Sequence, residues 1–264
     1  MSTVIAKQTA TELSRGEHPV VAMDRWIEAR KELLAREKEL TRLHDQIARE
    51  RRALPWVRIE KDYVFDTLQG PQTLADLFEG RSQLVIQHFM LAPGWEAGCK
   101  SCSFMADHID GAQAHIEQRD VSLIVVSRAP LEQIERFRER MGWAFKWVSS
   151  NGSSFNYDFG VSFTPQQQST AGQYNFSQIT APHEELPGIS AFYKNEAGEV
   201  FRTYSTYGRG VELMMGTYDF LDITSKGRDE ELLSYTMEWV RHHDLYEKAP
   251  SQKAVAGGCA CSAA

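Results

Sequence analysis

Leu84-Val-Ile-Gln-His-Phe-Met90, the loop Ala92-Pro-Gly-Trp-Glu-Ala-Gly98 and then Cys99-Lys-Ser-Cys102, opening a helical segment near Ser103, decide the fold of this chain. The first seven residues include no Asp, Glu, Lys or Arg and read as a central, buried strand. A C-x-x-C between a strand and a helix sets two sulfurs about one turn apart, close enough to bridge. The first sulfur meets the unpaired N–H groups of the helix start, which favour a thiolate. Dithiol chemistry is therefore the first expectation, with Cys99 as nucleophile and Cys102 as the resolving thiol.

Working outward, the helix after Cys102 carries Phe104, Ile109, Ala112 and Ile116 on one side. Val121-Ser-Leu-Ile-Val-Val-Ser127 is a second buried strand, rich in β-branched residues. Pro130 starts an amphipathic helix through Ile134, Phe137 and Met141, and Lys146-Trp-Val-Ser149 reads as a short edge strand. Such alternation over 84–149 implies parallel strands joined by helical crossovers. Upstream lie a short strand at Tyr63-Val-Phe65, a turn at Gln69-Gly-Pro71 and a short helix over Thr73-Leu-Ala-Asp-Leu-Phe78. Downstream, Gly188-Ile-Ser-Ala-Phe-Tyr193 and Glu199-Val-Phe-Arg-Thr-Tyr204 flank Asn195-Glu-Ala-Gly198, a hairpin signal. A last helix is expected near Glu230 to Tyr246.

Three regions stand outside this pattern. From Met23 to Ala53 the sequence is a long charged helix on which Trp26, Leu33, Leu40, Ile47 and Leu54 recur every seven residues, with Leu43 beside them. Pro55 stops it, and it is expected to pack along the body or onto a second subunit, which makes a homodimer one expectation. Residues 150–182 are rich in Ser, Asn, Gln and Gly, interleaved with Phe155, Tyr157, Phe159 and Phe163. This insertion is expected to form a small core under a long loop or, less simply, one wall of the site. Residues 248–264 form a Gly/Ala/Ser-rich tail containing Cys259-Ala-Cys261. The chain thus divides into a tail and helical arm (1–55), a domain (56–247) holding the insertion, and a C-terminal tail.

The 264 residues, 42% hydrophobic and 25% charged, suit one large globular domain with an extension. A net charge of -7 argues against nucleic acid and against an anionic membrane surface as partners. No stretch approaches the roughly 18 apolar residues of a membrane span, and the N-terminus lacks a signal-peptide core. A cytoplasmic location is expected, where four cysteines in two close pairs mean redox or metal chemistry rather than a disulfide scaffold.

This order of parts resembles the thioredoxin superfamily, and Tyr63 to Met90, with Gly70, Leu74, Leu77, Phe78 and Gly80, is similar to the opening of its peroxiredoxin-like members. More specifically, Gly98-Cys-Lys-Ser-Cys-Ser-Phe-Met-Ala-Asp-His-Ile-Asp-Gly111 resembles the DUF899 family. So do Phe155-Asn-Tyr-Asp-Phe159, Glu185-Leu-Pro-Gly-Ile-Ser-Ala-Phe-Tyr193, Tyr204-Ser-Thr-Tyr-Gly-Arg209 and Gly216-Thr-Tyr-Asp-Phe-Leu-Asp222. The resemblance implies an α/β, thioredoxin-like (peroxiredoxin-like) central sheet flanked by helices, behind the helical arm, and a dithiol-disulfide oxidoreductase. Two positions depart from thioredoxins: Gly98 stands where they carry Trp, with Trp95 further back, and Gly188 falls where they carry a cis-proline, with Pro187 beside it. Trp95 and Pro187 are the substrate-facing candidates.

The residues leave alternatives open. Lys100 favours a Cys99 thiolate and Glu96 opposes it. Peroxide reduction is the second activity: it needs a hydroxyl shortly before the nucleophile, which 93–98 lacks, and a guanidinium, for which Arg128 and Arg209 are the candidates. A non-catalytic metal-binding protein is the contrasting class, with His88, His108 or the tail cysteines completing a site begun by the C-x-x-C. Cys259 and Cys261 are auxiliary redox or soft-metal candidates, or incidental thiols of a disordered end. Asp107 and Asp110 read as polar-face residues and His242-His243 as surface. No G-x-G-x-x-G after a strand and no phosphate-binding G-x-x-x-x-G-K-[ST] occurs, so no organic cofactor is implied. The expected partners are a disulfide-containing protein, a small thiol or a peroxide, together with a recycling reductant.

Overall fold

The computed structural model describes residues 18–247. Along the chain, α1 (Met23–Arg52) leads to β1 (Val57–Arg58), a small ribbon of β2 (Val64–Phe65) and β3 (Gln72–Thr73), and a 3-10 turn at Asp76–Phe78. Then come β4 (Gln83–His88), α2 (Lys100–Glu117), β5 (Val121–Ser127), α3 (Leu131–Met141) and β6 (Trp147–Ser149). The insertion supplies α4 (Phe155–Asp158), α5 (Pro165–Ser169), β7 (Gly172–Tyr174) and β8 (Ser177–Ile179). The hairpin β9 (Gly188–Lys194) and β10 (Val200–Tyr207) follows, then a 3-10 segment at Gly208–Met214 and α6 (Gly216–Asp222).

Six strands make the central sheet, in the order β1-β10-β9-β4-β5-β6. The β4–β5 and β5–β6 pairs are parallel, as helical crossovers require, while β9 lies antiparallel to β4 and pairs with β10 in the expected hairpin. A parallel strand–helix–strand unit with its dithiol strand in mid-sheet, extended by an antiparallel hairpin, is the thioredoxin-like arrangement. β4 and β5 lie inside the sheet because both can be covered on each face: in β4, Leu84 and Ile86 are fully buried on one, and Val85 and Gln87 face the helices on the other. α3 ends where Gly142 takes a left-handed φ of 68°, a conformation glycine adopts at little cost.

The two faces carry separate cores. Under α2 and α3, Phe89, Phe104, Phe137, Trp143 and Trp147 pack with Leu123 and Val125. On the opposite face Leu84, Ile86 and Phe192 meet Phe65, Leu77, Phe78, Phe155 and Phe159. The insertion is therefore neither a minor core beneath a loop nor a wall of the dithiol site at its aromatic centre. Phe155 and Phe159 fill the main core, each such ring contributing roughly 1.5–3 kcal/mol on burial.

The expected helix over 73–78 is only the 3-10 turn at Asp76–Phe78, with Thr73 in β3, and two larger expectations also fail. No helix runs from Glu230 to Tyr246; the segment is a series of turns with one 3-10 turn at His243–Leu245. Asp229 and Met237 adopt left-handed φ angles of 55° and 66°, and the Glu230 carboxylate accepts from Tyr218 Oη, Met237 N and Trp239 Nε1 at 3.1, 2.9 and 2.7 Å. Trp239 packs edge-on against Phe104, and Val240 is fully buried. These tertiary anchors outweigh local helix propensity. Second, α1 does not pack along the body: it buries no residue, and its last turn alone leans on the sheet, with Arg51 over the Tyr204 ring. Among the described residues no helix is long and apolar enough to cross a membrane.

Candidate active site

The site is assembled at the C-terminal end of β4. Two residues after the strand, Met90 O accepts Cys99 N at 3.0 Å, which brings the loop back and starts α2 with Cys99 as its N-cap. Gln133 of α3 pins the loop: its Nε2 donates to Ala92 O and Trp95 O, and its Oε1 accepts from Gly94 N. Gly98 is dictated by packing, since a Cβ there would stand 2.5 Å from the Phe89 ring and 2.8 Å from that of Phe137. The tryptophan that thioredoxins place before the first cysteine has no room here.

Cys99 is half-buried and Cys102 buried, and both are free thiols. The Cys99 thiol is pulled down to about 6, first by the hydrogen bond from the Cys102 thiol and then by the N–H groups of Cys102 and Ser101 and the Ser101 hydroxyl; burial works against these. Cys102 moves up, because its proton is held by Cys99, because it is buried, and because the Cys99 and Glu185 charges repel a second thiolate. The asymmetry follows from helix position: the N-cap sulfur collects first-turn donors, while the sulfur one turn inside meets apolar core. Gln87 on β4 donates to Cys102 O at 3.1 Å and fixes that first turn to the sheet.

Around the pair, Trp95 is half-buried and its Nε1 donates to Glu184 Oε1 at 2.8 Å. Arg128, at the end of β5, binds Glu184 and Glu185 at 2.6 Å each, and Ser162 Oγ donates to the buried Glu185. Burial raises the Glu185 carboxyl, against the opposing pull of Ser162 and Arg128. Pro187 precedes β9, its carbonyl accepting from Tyr174 Oη at 2.7 Å; among the described residues no peptide bond is cis. Lys100 is turned to Glu238 O and the Tyr235 ring.

Several candidates belong elsewhere. His88 points to the face of the sheet opposite α2, packed beside Phe155 and Phe159 and bonded to Ser190 Oγ; burial, helped by Arg202, lowers it to about 3 and keeps it neutral. His108 is satisfied by Phe104 O and Thr217. Among the described residues no three His, Cys, Asp or Glu side chains are placed to hold an ion. Arg128 is neutralised by two glutamates and Arg209 is taken by Glu212, so neither offers a free guanidinium to a peroxide. Asp107 and Asp110 are not idle polar-face residues: Asp107 accepts from Trp143 Nε1 and His243 Nδ1, and Asp110 from Ala144 N and Phe145 N. Cys259 and Cys261 lie outside the described residues.

Sequence reasoning missed His242 and Glu185. His242, read as surface, donates from Nε2 to Gly98 O at 2.8 Å and packs edge-on against Phe137, so the residue before Cys99 is held from the far end of the chain. A paired His242-His243 beside Trp239 was the available signal, but nothing local tied it to the dithiol.

Among curated proteins none matches this chain. Similar solved structures include a peroxidoxin BcpB from Mycobacterium tuberculosis (15% identity, TM-score 0.39, 61% of this chain and 88% of that one). A PrxQ variant from Xylella fastidiosa (14%, 0.38, 60% and 87%) and a yeast mitochondrial 1-Cys peroxiredoxin (19%, 0.36, 64% and 78%) are others. Likeness of this degree carries no argument about activity, and the fold rests on the strand order above. The profile of a family described as bacterial protein of unknown function, DUF899, matches residues 15–246, and the chain belongs to that family.

Proposed function

We propose that this protein is a thiol–disulfide oxidoreductase in which Cys99 attacks and Cys102 resolves. The observation that carries the reading is the asymmetry of the pair: a half-buried N-cap sulfur favoured as thiolate beside a buried sulfur favoured as thiol. In the forward step the Cys99 thiolate attacks one sulfur of a substrate disulfide, forming a mixed disulfide and expelling one substrate thiolate. Cys102 then gives up its proton, to the departing thiolate or to water, and attacks Cys99 Sγ. The second substrate thiolate leaves, the substrate has gained two electrons, and the protein holds a Cys99–Cys102 disulfide. An external dithiol returns it to the reduced state. A protein disulfide or a small disulfide fits this reading; against peroxide reduction, Arg128 and Arg209 are both held by glutamates and residues 93–98 carry no hydroxyl.

The test is a trapping experiment with oxidised glutathione in protein carrying Cys259→Ser and Cys261→Ser. With Cys102→Ser added, each chain is expected to keep one glutathione on Cys99. With Cys102 present the adduct is expected to resolve to an internal disulfide. A Cys102→Ser protein that takes up no glutathione, or a Cys102 protein that keeps it, would overturn the assignment.

A further inference from the structure

We infer that the protein is an arm-exchanged homodimer in which α1 of each copy covers an open groove on the sheet of the other. Two unpartnered apolar surfaces of one chain support this. The first is the arm: Trp26 is 55% exposed, Leu33 52%, Leu40 67% and Leu43 50%, on a helix that buries nothing. The second is a groove of about 600 Å³ on the face of the sheet that bears α2, floored by Val85, Val121 and Ala191 and flanked by Tyr193 under Trp56 and Tyr204 under Arg51. The segment after β10, with α6, covers part of this face through Val211, Met215 and Tyr218, and among the described residues no further helix covers the rest. An apolar sheet face is ordinarily closed by a helix.

The arm of the same chain cannot do this. Its last turn forms one rim of the groove, through Ala48, Arg51 and Arg52, and the rest of this 30-residue helix, about 45 Å long at helical rise, buries no residue. A second copy brings a free arm tip to that rim. The charges agree: Arg51 and Arg52 make no ion pair among the described residues, and neither do Asp24 and Glu32, which flank Trp26 and Leu33. Antiparallel approach also sets the positive N-terminal end of one arm against the negative C-terminal end of the other.

A plain two-stranded coiled coil fits less well. Taking Trp26, Leu33, Leu40 and Ile47 as one core position, the other is Ala29, Arg36, Leu43 and Glu50, interrupted twice by charge. A helix with one apolar seam suits a sheet groove better than a twin of itself. Reciprocal exchange gives a closed two-fold dimer.

The full chain is tested by light scattering after size exclusion and by cross-linking. Twice the 30.0 kDa chain mass is expected, falling to one chain mass in Leu33→Glu with an unchanged circular dichroism spectrum. For cross-linking, the four native cysteines are replaced by Ser. Oxidised protein carrying both Ile27→Cys and Thr203→Cys is expected to form a covalent dimer, and either change alone is not. A single-chain mass at micromolar concentration, a dimer that survives Leu33→Glu, or dimers cross-linked by Ile27→Cys alone would each overturn the proposal. The last result would mean that arm packs on arm.

Discussion

Gly98, Cys99 and Cys102 do different work within five positions. Gly98 lets the loop pass under two phenyl rings, so Gly98→Ala is expected to lower stability by about 1–3 kcal/mol through overpacking, read as a shift in urea midpoint. Cys99 collects donors, so its alkylation by iodoacetamide is expected to rise with pH through about 6 and to be level by neutrality. An unshifted thiol, near 8.5, would still be climbing there. The same shift acts on stability. A thiol depressed in the folded state contributes only where the thiolate forms, in full above its unfolded pKa, and the contribution is lost as pH falls through about 6. The stability difference between reduced protein and Cys99→Ser is therefore expected to shrink between pH 8 and pH 5 in paired urea titrations. At this scale the C-x-x-C was legible because helix-start chemistry is local. Glu185 and His242 were not, because their contacts with the site depend on chain closure.

Helix α2 is tied at its first turn by elements from three parts of the chain: Gln87 of β4, Gln133 of α3 through the loop, and the 230–246 segment through His242, Trp239 and Lys100. Glu230 is the pin of that last segment. Glu230→Ala leaves Tyr218, Met237 and Trp239 without their acceptor, at a cost of about 1–3 kcal/mol for each donor that stays buried. Faster amide exchange over residues 98–104 and faster Cys99 alkylation are expected, and unchanged rates at both would show that the segment does not hold the dithiol. The strands β2, β4, β5, β6, β9 and β10 and the helices α2 and α3 were legible in the sequence, whereas the short β1, β3, β7 and β8 were not. The turn-rich 230–246 segment was misread as a helix because its apolar spacing passes for one, while the left-handed residues that break it are Asp229 and Met237 rather than glycine or proline.

For the whole molecule, the parallel run of β4, β5 and β6 with its helical crossovers was legible from alternation, and the central place of β4 from its lack of charge; where the hairpin and β1 join the sheet was not. What the sequence left open was which surfaces meet. The aromatics of 150–182 joined the main core because Leu84, Ile86 and His88 left a full sheet face to be filled. The arm, whose seam was plain in the heptad spacing, buries no residue against the other described residues.

The most direct test of the central claim is the redox midpoint of Cys99 and Cys102. It is read by thiol labelling across dithiothreitol and glutathione series, in Cys259→Ser, Cys261→Ser protein with metal content assayed alongside. The account predicts a reversible two-electron transition in metal-free protein. Because a stabilised Cys99 thiolate favours the reduced form, the midpoint should lie on the oxidising side of an unshifted dithiol. Thiols that never pair, or that are protected by stoichiometric zinc or copper, would contradict it.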